Sequence, residues 1–222
     1  DMGIILEDDC LPHPFFFQFC KELLIKYKNN SHITHINGYN CQNGIIRGNY
    51  SYYFSRYFHV WGWATWKRAW RNYSYRLKNY ETFIKEKVLL NIFNNKYITE
   101  HWLYNFNLVN NNKINTWDYQ WVYSNFINDS IAITPNINLI ENIGMNNDGT
   151  HSFDKKRRNE NKIVINNNDY IEIRHPPFIY VNYIADKYTY KKHVGINLLF
   201  KIKYYIKKTL KYIGIWRKQI DT

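Results

Sequence analysis

The chain has 222 residues, 45% hydrophobic, 19% aromatic and 22% charged, which is enough apolar surface for one buried core and excludes a disordered or collagen-like chain. Its formal net charge of +12 invites an anionic partner, a nucleic acid or a membrane, but the lysines also sit in a composition crowded with Asn, Ile and Tyr that can arise as background. Cys10, Cys20 and Cys41 form no C-x-x-C pair and leave an odd thiol, which argues against a disulfide framework or a structural zinc site and for a reducing compartment.

Residues 1–6 carry neither the basic start nor the long apolar core of a signal peptide, and the chain opens on Asp1, so it reads as a piece cut from a longer protein. Gly3, Ile4, Ile5 and Leu6 form an apolar run that stops at Glu7, Asp8 and Asp9, the pattern of a buried strand delivering acids to the mouth of a sheet. Residues 15–27 place Phe16, Phe19, Cys20, Leu23, Leu24 and Tyr27 at helical spacing, with Pro14 suited to the first turn. Residues 32–37, ending at Gly38, predict a second strand and 50–55 a third, and this β-α-β order indicates an α/β domain. The tryptophan-rich stretch 61–70 reads as a loop that becomes helical, with Trp66 and Trp70 four apart on one face. Helical patterns recur over 80–93 and 99–109, another helix opens over 117–128, and 131–135 with 137–140 give short extended segments before Gly144. Residues 146–161 are polar and irregular, the pattern of a loop that moves when no ligand is bound. In 195–218, Leu199, Ile202, Ile206, Leu210 and Ile213 share one helical face opposite Lys201, Lys207, Lys208, Lys211 and Lys218. Such a basic amphipathic helix suits either an anionic membrane interface or packing on the domain with its lysines in water. No stretch holds the roughly 18 to 20 apolar residues of a membrane span.

Three consecutive carboxylates repel one another and raise one another's pKa, a cost that a divalent cation relieves. Oxygen-only ligands at a strand end suit Mg2+ or Mn2+, which keep positions open for phosphate oxygens and water, while the same triplet taken alone is also a solvated acidic turn. Asp118 sits at the start of a predicted helix, where backbone N–H groups favour the ionised form; it is a candidate general base, or else a helix cap. Indoles stack on the apolar faces of sugars and also fill cores. Core packing is expected for Trp66 and Trp70, and ligand contact for Gly62 and Trp63.

The string Ile4-Ile5-Leu6-Glu7-Asp8-Asp9-Cys10-Leu11-Pro12-His13-Pro14 resembles the acidic metal-binding motif, often written D-x-D, of nucleotide-sugar glycosyltransferases with the GT-A fold, followed by their next helix. The Gly62-Trp63 and Trp117-Asp118 pairs come in the same order as two blocks of the N-acetylglucosaminyltransferase I family. The closer likeness is to bacterial glycosyltransferases carrying E-D-D-C, Trp-Gly-Trp-Ala-Thr-Trp, Trp-Asp-x-Gln-Trp, and Asn-x-Gly with a following Thr-His. It covers residues 3–152 and departs from the N-acetylglucosaminyltransferase I pattern at Tyr119, which stands where that family has a second acid.

The resemblance implies a partial GT-A domain over residues 1–190, an α/β fold with a mixed sheet flanked by helices whose nucleotide-reading half is absent, and the basic helix in 191–222. It implies an inverting, metal-dependent transferase that moves a hexosyl or N-acetylhexosaminyl group from a nucleotide-diphosphate sugar to a hydroxyl of a glycan or lipid-linked glycan of the bacterial surface, with little or no activity expected of the fragment alone. Asp9 would ligate Mn2+ or Mg2+ directly, Asp8 and Glu7 would contact metal-bound water or the ribose, and Asp118 would be the base. Gly62, Trp63, Trp117, Gly144 and His151 would touch substrate, His151 reaching the diphosphate, although a histidine in a polar loop is also simply solvated. The setting implied is cytoplasmic, at the inner face of the plasma membrane, without nucleic acid. Two other classes fit parts of the sequence. A basic aromatic nucleic-acid-binding module leaves the clustered acids unexplained, and a metal-dependent phosphohydrolase needs further grouped Asp or His ligands.

Overall fold

The computed structural model describes residues 1–144 and 172–194, so the expected loop over 146–161, His151, and the basic helix over 195–218 lie outside the described residues. Along the chain run β1 (Met2–Ile5), β2 (Cys10–Pro12), α1 (Pro14–Lys26), β3 (Ile33–Asn37), β4 (Tyr52–Ser55), β5 (Trp63–Trp66), α2 (Lys67–Trp70), α3 (Tyr80–Lys85), α4 (Val88–Phe93), α5 (Lys96–Asn110), α6 (Asp118–Ile127), β6 (Ile131–Pro135), β7 (Ile140–Asn142) and α7 (Tyr183–Val194). The fold is α/β. A mixed sheet in the order β1-β5-β3-β6-β4 is flanked by helices, and β2 pairs with β7 in a small second sheet. Strands β1 and β3 are both antiparallel to β5, so they run the same way with α1 crossing between them and β5 inserted in the gap.

His13 starts α1 by accepting the Phe15 N–H on Nδ1 at 3.1 Å, and Pro14 fills the first turn, where no N–H is missed. The buried Phe16, Phe19, Cys20 and Leu23 recur at helical spacing and pack on Ile36, Ala64, Trp66 and Ile133 of one sheet face. The Trp66 indole N–H donates to the Leu24 carbonyl at 2.9 Å, fastening the helix to β5. A register shift between Ile33 and His35 lets Ile33 and Ile36, three apart, share this cluster, while His35 turns to the other face. That face is covered by α3 to α6, where Phe83, Phe93, Phe106, Tyr123 and Phe126 form an aromatic core with Phe93 and Phe126 perpendicular at 5.4 Å.

Four expectations need correction. The run after Gly3 was expected to be a buried strand, but β1 is an edge strand bonded to β5 alone, with Met2 and Ile4 exposed. The 61–70 stretch is first a strand: β5 pairs on both sides, which commits its backbone to the ladder until Lys67. Alternation then sends Trp66 under α1, whereas Trp70 is 41% exposed and stacks on Tyr73 at 4.6 Å, so Trp70 is no core residue. Residues 80–93 form two helices because Lys87 takes a left-handed φ of 52°.

α7 is held by a buried acid. Asp186 accepts from the Ser55 hydroxyl at 2.5 Å and the Arg56 N–H at 2.9 Å, and burial pushes its pKa from 3.8 up to about 6. An acid whose pKa is raised by folding favours its protonated form in the native state. Its contribution is therefore full below the unfolded value and falls as pH rises through about 6, by roughly 3 kcal/mol. Asp186→Asn keeps an acceptor for Arg56 and should flatten the pH dependence of the urea midpoint between about pH 4 and 7; an unchanged slope would remove Asp186 as its source.

Candidate active site

After β1 the chain turns tightly, the Cys10 N–H returning to the Glu7 carbonyl at 3.1 Å, and enters β2. Pairing of β2 with β7 then carries the carboxyl end of β7 to the acids, where the Ile143 N–H donates to the Asp9 carbonyl at 2.8 Å. Gly144 lies against the Asp9 side chain. A Cβ there would sit 2.9 Å from Asp9 Cβ and 3.0 Å from its Cγ, so any larger residue at 144 would displace this carboxylate. Asp9 and Gly144, both expected site residues, thus meet.

Asp118 is the first residue of α6 rather than its cap, a position held by Trp117. Its Oδ1 accepts from the Thr116 hydroxyl and, at 2.8 Å, from the Tyr119 N–H, and Gln120 Nε2 fixes Thr116 by donating to its carbonyl at 2.6 Å. Among the described residues no donor reaches Oδ2, so the carboxylate is oriented through one oxygen with the other free. Asp118 lines a cavity of about 160 Å3 with Tyr39, His59, Trp61, Trp102 and Tyr119. Tyr39 and Trp61 meet there at 4.9 Å, a polar and aromatic wall about a carboxylate.

The acids share one electrostatic neighbourhood. Burial and the negative charges of Asp9, Asp118 and Asp8, in that order, hold the Glu7 pKa above the usual carboxylate range. Among the described residues none of these four acids forms an ion pair. Among the described residues, too, no three His, Cys, Asp or Glu converge closely enough to hold a metal by themselves. The donor chemistry still fits Mn2+ or Mg2+, which one or two carboxylates hold while phosphates and water supply the other ligands.

Gly62 and Trp63, the expected ligand contacts, are both packed against protein. Gly62 has φ 59°, and a Cβ would lie 2.6 Å from Ile140 Cγ1, so this glycine serves the packing of the β5 loop over β7. Trp63 is 1% exposed, stacked on His35 at 4.8 Å and on Trp117 at 5.8 Å, so its ring is filled in by protein instead of offered to a sugar. Trp63 and the half-buried Trp117 border a separate apolar cavity of about 540 Å3 beside β1, with Ile5 and Trp70.

Sequence reasoning missed His35. Its Nδ1 accepts from the Trp121 indole at 3.0 Å, so Nε2 carries the proton and donates to the His59 carbonyl at 2.9 Å. Burial drives its pKa down to about 3, keeping it neutral, and the bridge ties β3, α6 and the loop that lines the Asp118 cavity. A lone histidine in a strand carries no signal of this. Tyr39 and Trp102 were missed because they come from separate segments that only the fold brings to the cavity.

Compared with known proteins, the chain matches no family model and no curated protein. No helix among the described residues is long and apolar enough to cross a membrane.

Proposed function

We propose that the chain is the metal- and acceptor-handling part of an inverting GT-A glycosyltransferase that moves a sugar from a nucleotide-diphosphate sugar to a hydroxyl of a glycan. The observation that carries this reading is the setting of Asp118, held through Oδ1 by Thr116 and the Tyr119 N–H on the wall of an aromatic cavity, while Asp9 of the acidic triplet packs against Gly144. In this reading Asp9 and Asp8 hold Mn2+ or Mg2+, and Glu7 binds ribose or metal-bound water. When bound, the ion neutralises charge on the departing diphosphate. Tyr39 and Trp61 take the apolar face of the acceptor ring. Thr116 and the Tyr119 N–H fix Oδ1 of Asp118, so that Oδ2 accepts the proton of the attacking hydroxyl.

The net positive charge fits a nucleic-acid module as well, but that reading gives the grouped acids and the Asp118 cavity no task. Mn2+ is expected to quench the tryptophan fluorescence of the protein, and to do so far less in Asp9→Asn. Salt-sensitive binding of single-stranded RNA with no response to Mn2+ would overturn the proposal.

A further inference from the structure

At the entry to α7, Phe178, Ile179, Tyr180, Tyr183 and Ile184 are 71%, 47%, 64%, 57% and 70% exposed. Single exposed apolar residues are ordinary, whereas a contiguous group marks a contact surface. The segment that presents them is pinned. The Asn182 N–H donates to the Phe54 carbonyl at 2.8 Å, Val181 bridges to Phe54, and Asn182 Oδ1 accepts the Ala185 N–H at 3.0 Å. Gln42 Nε2 donates to the Ala185 carbonyl at 3.1 Å and to Thr189 Oγ1 at 2.8 Å. With Ala185, Asp186, Thr189 and Tyr190 fixed inward, Ile184, Lys187 and Lys191 are left in solvent on the opposite side of the helix.

The charge around this face is basic. Asp186, the acid of α7, is buried and bonded inward. Arg47 and Lys192 lie over the Tyr188 ring at 5.3 and 5.9 Å. In sequence the chain continues from α7 into 195–218, which holds lysines and Arg217 and no acid.

We infer that the entry and outer face of α7 dock on an anionic lipid surface, independently of the transferase reading. Phe178, Ile179 and Ile184 enter the boundary between headgroups and acyl chains, the tyrosines sit at headgroup level, and Lys187 and Lys191 meet lipid phosphates.

The test is co-sedimentation of the whole 222-residue chain with vesicles of phosphatidylcholine, alone or mixed with phosphatidylglycerol. Binding to the mixed vesicles only, weakened by salt, is expected. A Phe178→Ser, Ile179→Ser, Ile184→Ser variant keeps 195–218 intact and alters only exposed positions, so its circular dichroism and melting should match the parent while affinity falls at least about tenfold. Lys187→Gln with Lys191→Gln should weaken binding by roughly 5-fold per lysine. Equal binding by the triple variant, or equal binding to neutral vesicles, would overturn the inference. So would a parent dimer that the triple variant converts to monomer without any vesicle binding, since the face would then be a contact between copies.

Discussion

Asp118→Asn is expected to lower sugar transfer by roughly 10²- to 10⁴-fold in the active enzyme, the usual worth of a positioned general base. Donor affinity and melting should change little. An asparagine offers the same oxygen to Thr116 and the Tyr119 N–H, so the local bonds survive, while the proton-accepting Oδ2 becomes an NH2 group. Asp118→Ala behaves differently: it leaves the Tyr119 N–H without its acceptor and should cost about 0.5 to 2 kcal/mol of stability, as loss of a helix-end acceptor does. Comparing turnover, donor affinity and melting in both variants therefore separates a catalytic role from a structural one. A further readout is the titration of Glu7, whose pKa Asp118 helps to raise, so removing that charge should let it drop toward the ordinary range. Near-normal turnover in Asp118→Asn would end the base assignment, whatever Glu7 does.

The sequence made α1 legible because a capping position, a first-turn proline and apolar residues at helical spacing all point one way. It misread β5 because tryptophans four apart mimic a helix face, and only the pairing of β5 with both β1 and β3 decides the matter. α7 escaped notice since its inward face carries Asp186 and Thr189, polar side chains satisfied by Ser55, Arg56 and Gln42, and so shows little apolar periodicity. At the candidate site, the acids and Asp118 announced themselves by residue type and motif order. The aromatic cavity did not. Tyr39, His59, Trp61 and Trp102 come from separate segments that only the fold brings together, and nothing in the indole of Trp63 says that it is buried while that of Trp70 is not.

Asp9→Asn is expected to abolish Mn2+-dependent donor binding, because replacing a carboxylate by an amide removes the charge that holds a hard cation while keeping the shape of the turn. Gly144→Ala supplies the companion result without touching any acid. A methyl group at that position meets both the carboxylate and the Cβ of Asp9, so the carboxylate must rotate away and the backbone at residue 144 must shift slightly with it. Residue 144 is exposed and outside any strand or helix, so folding should be nearly unaffected. If Asp9 holds the ion directly, both variants weaken Mn2+ binding in a calorimetric titration, the asparagine more than the alanine, and both lose donor affinity with it. If Asp9 is only part of an acidic turn, Gly144→Ala merely shifts a half-buried side chain and leaves Mn2+ and donor affinity at the parent values. Donor affinity equal with and without Mn2+ in the parent and both variants would remove Asp9 from the metal site, and with it the main task assigned to the acidic triplet.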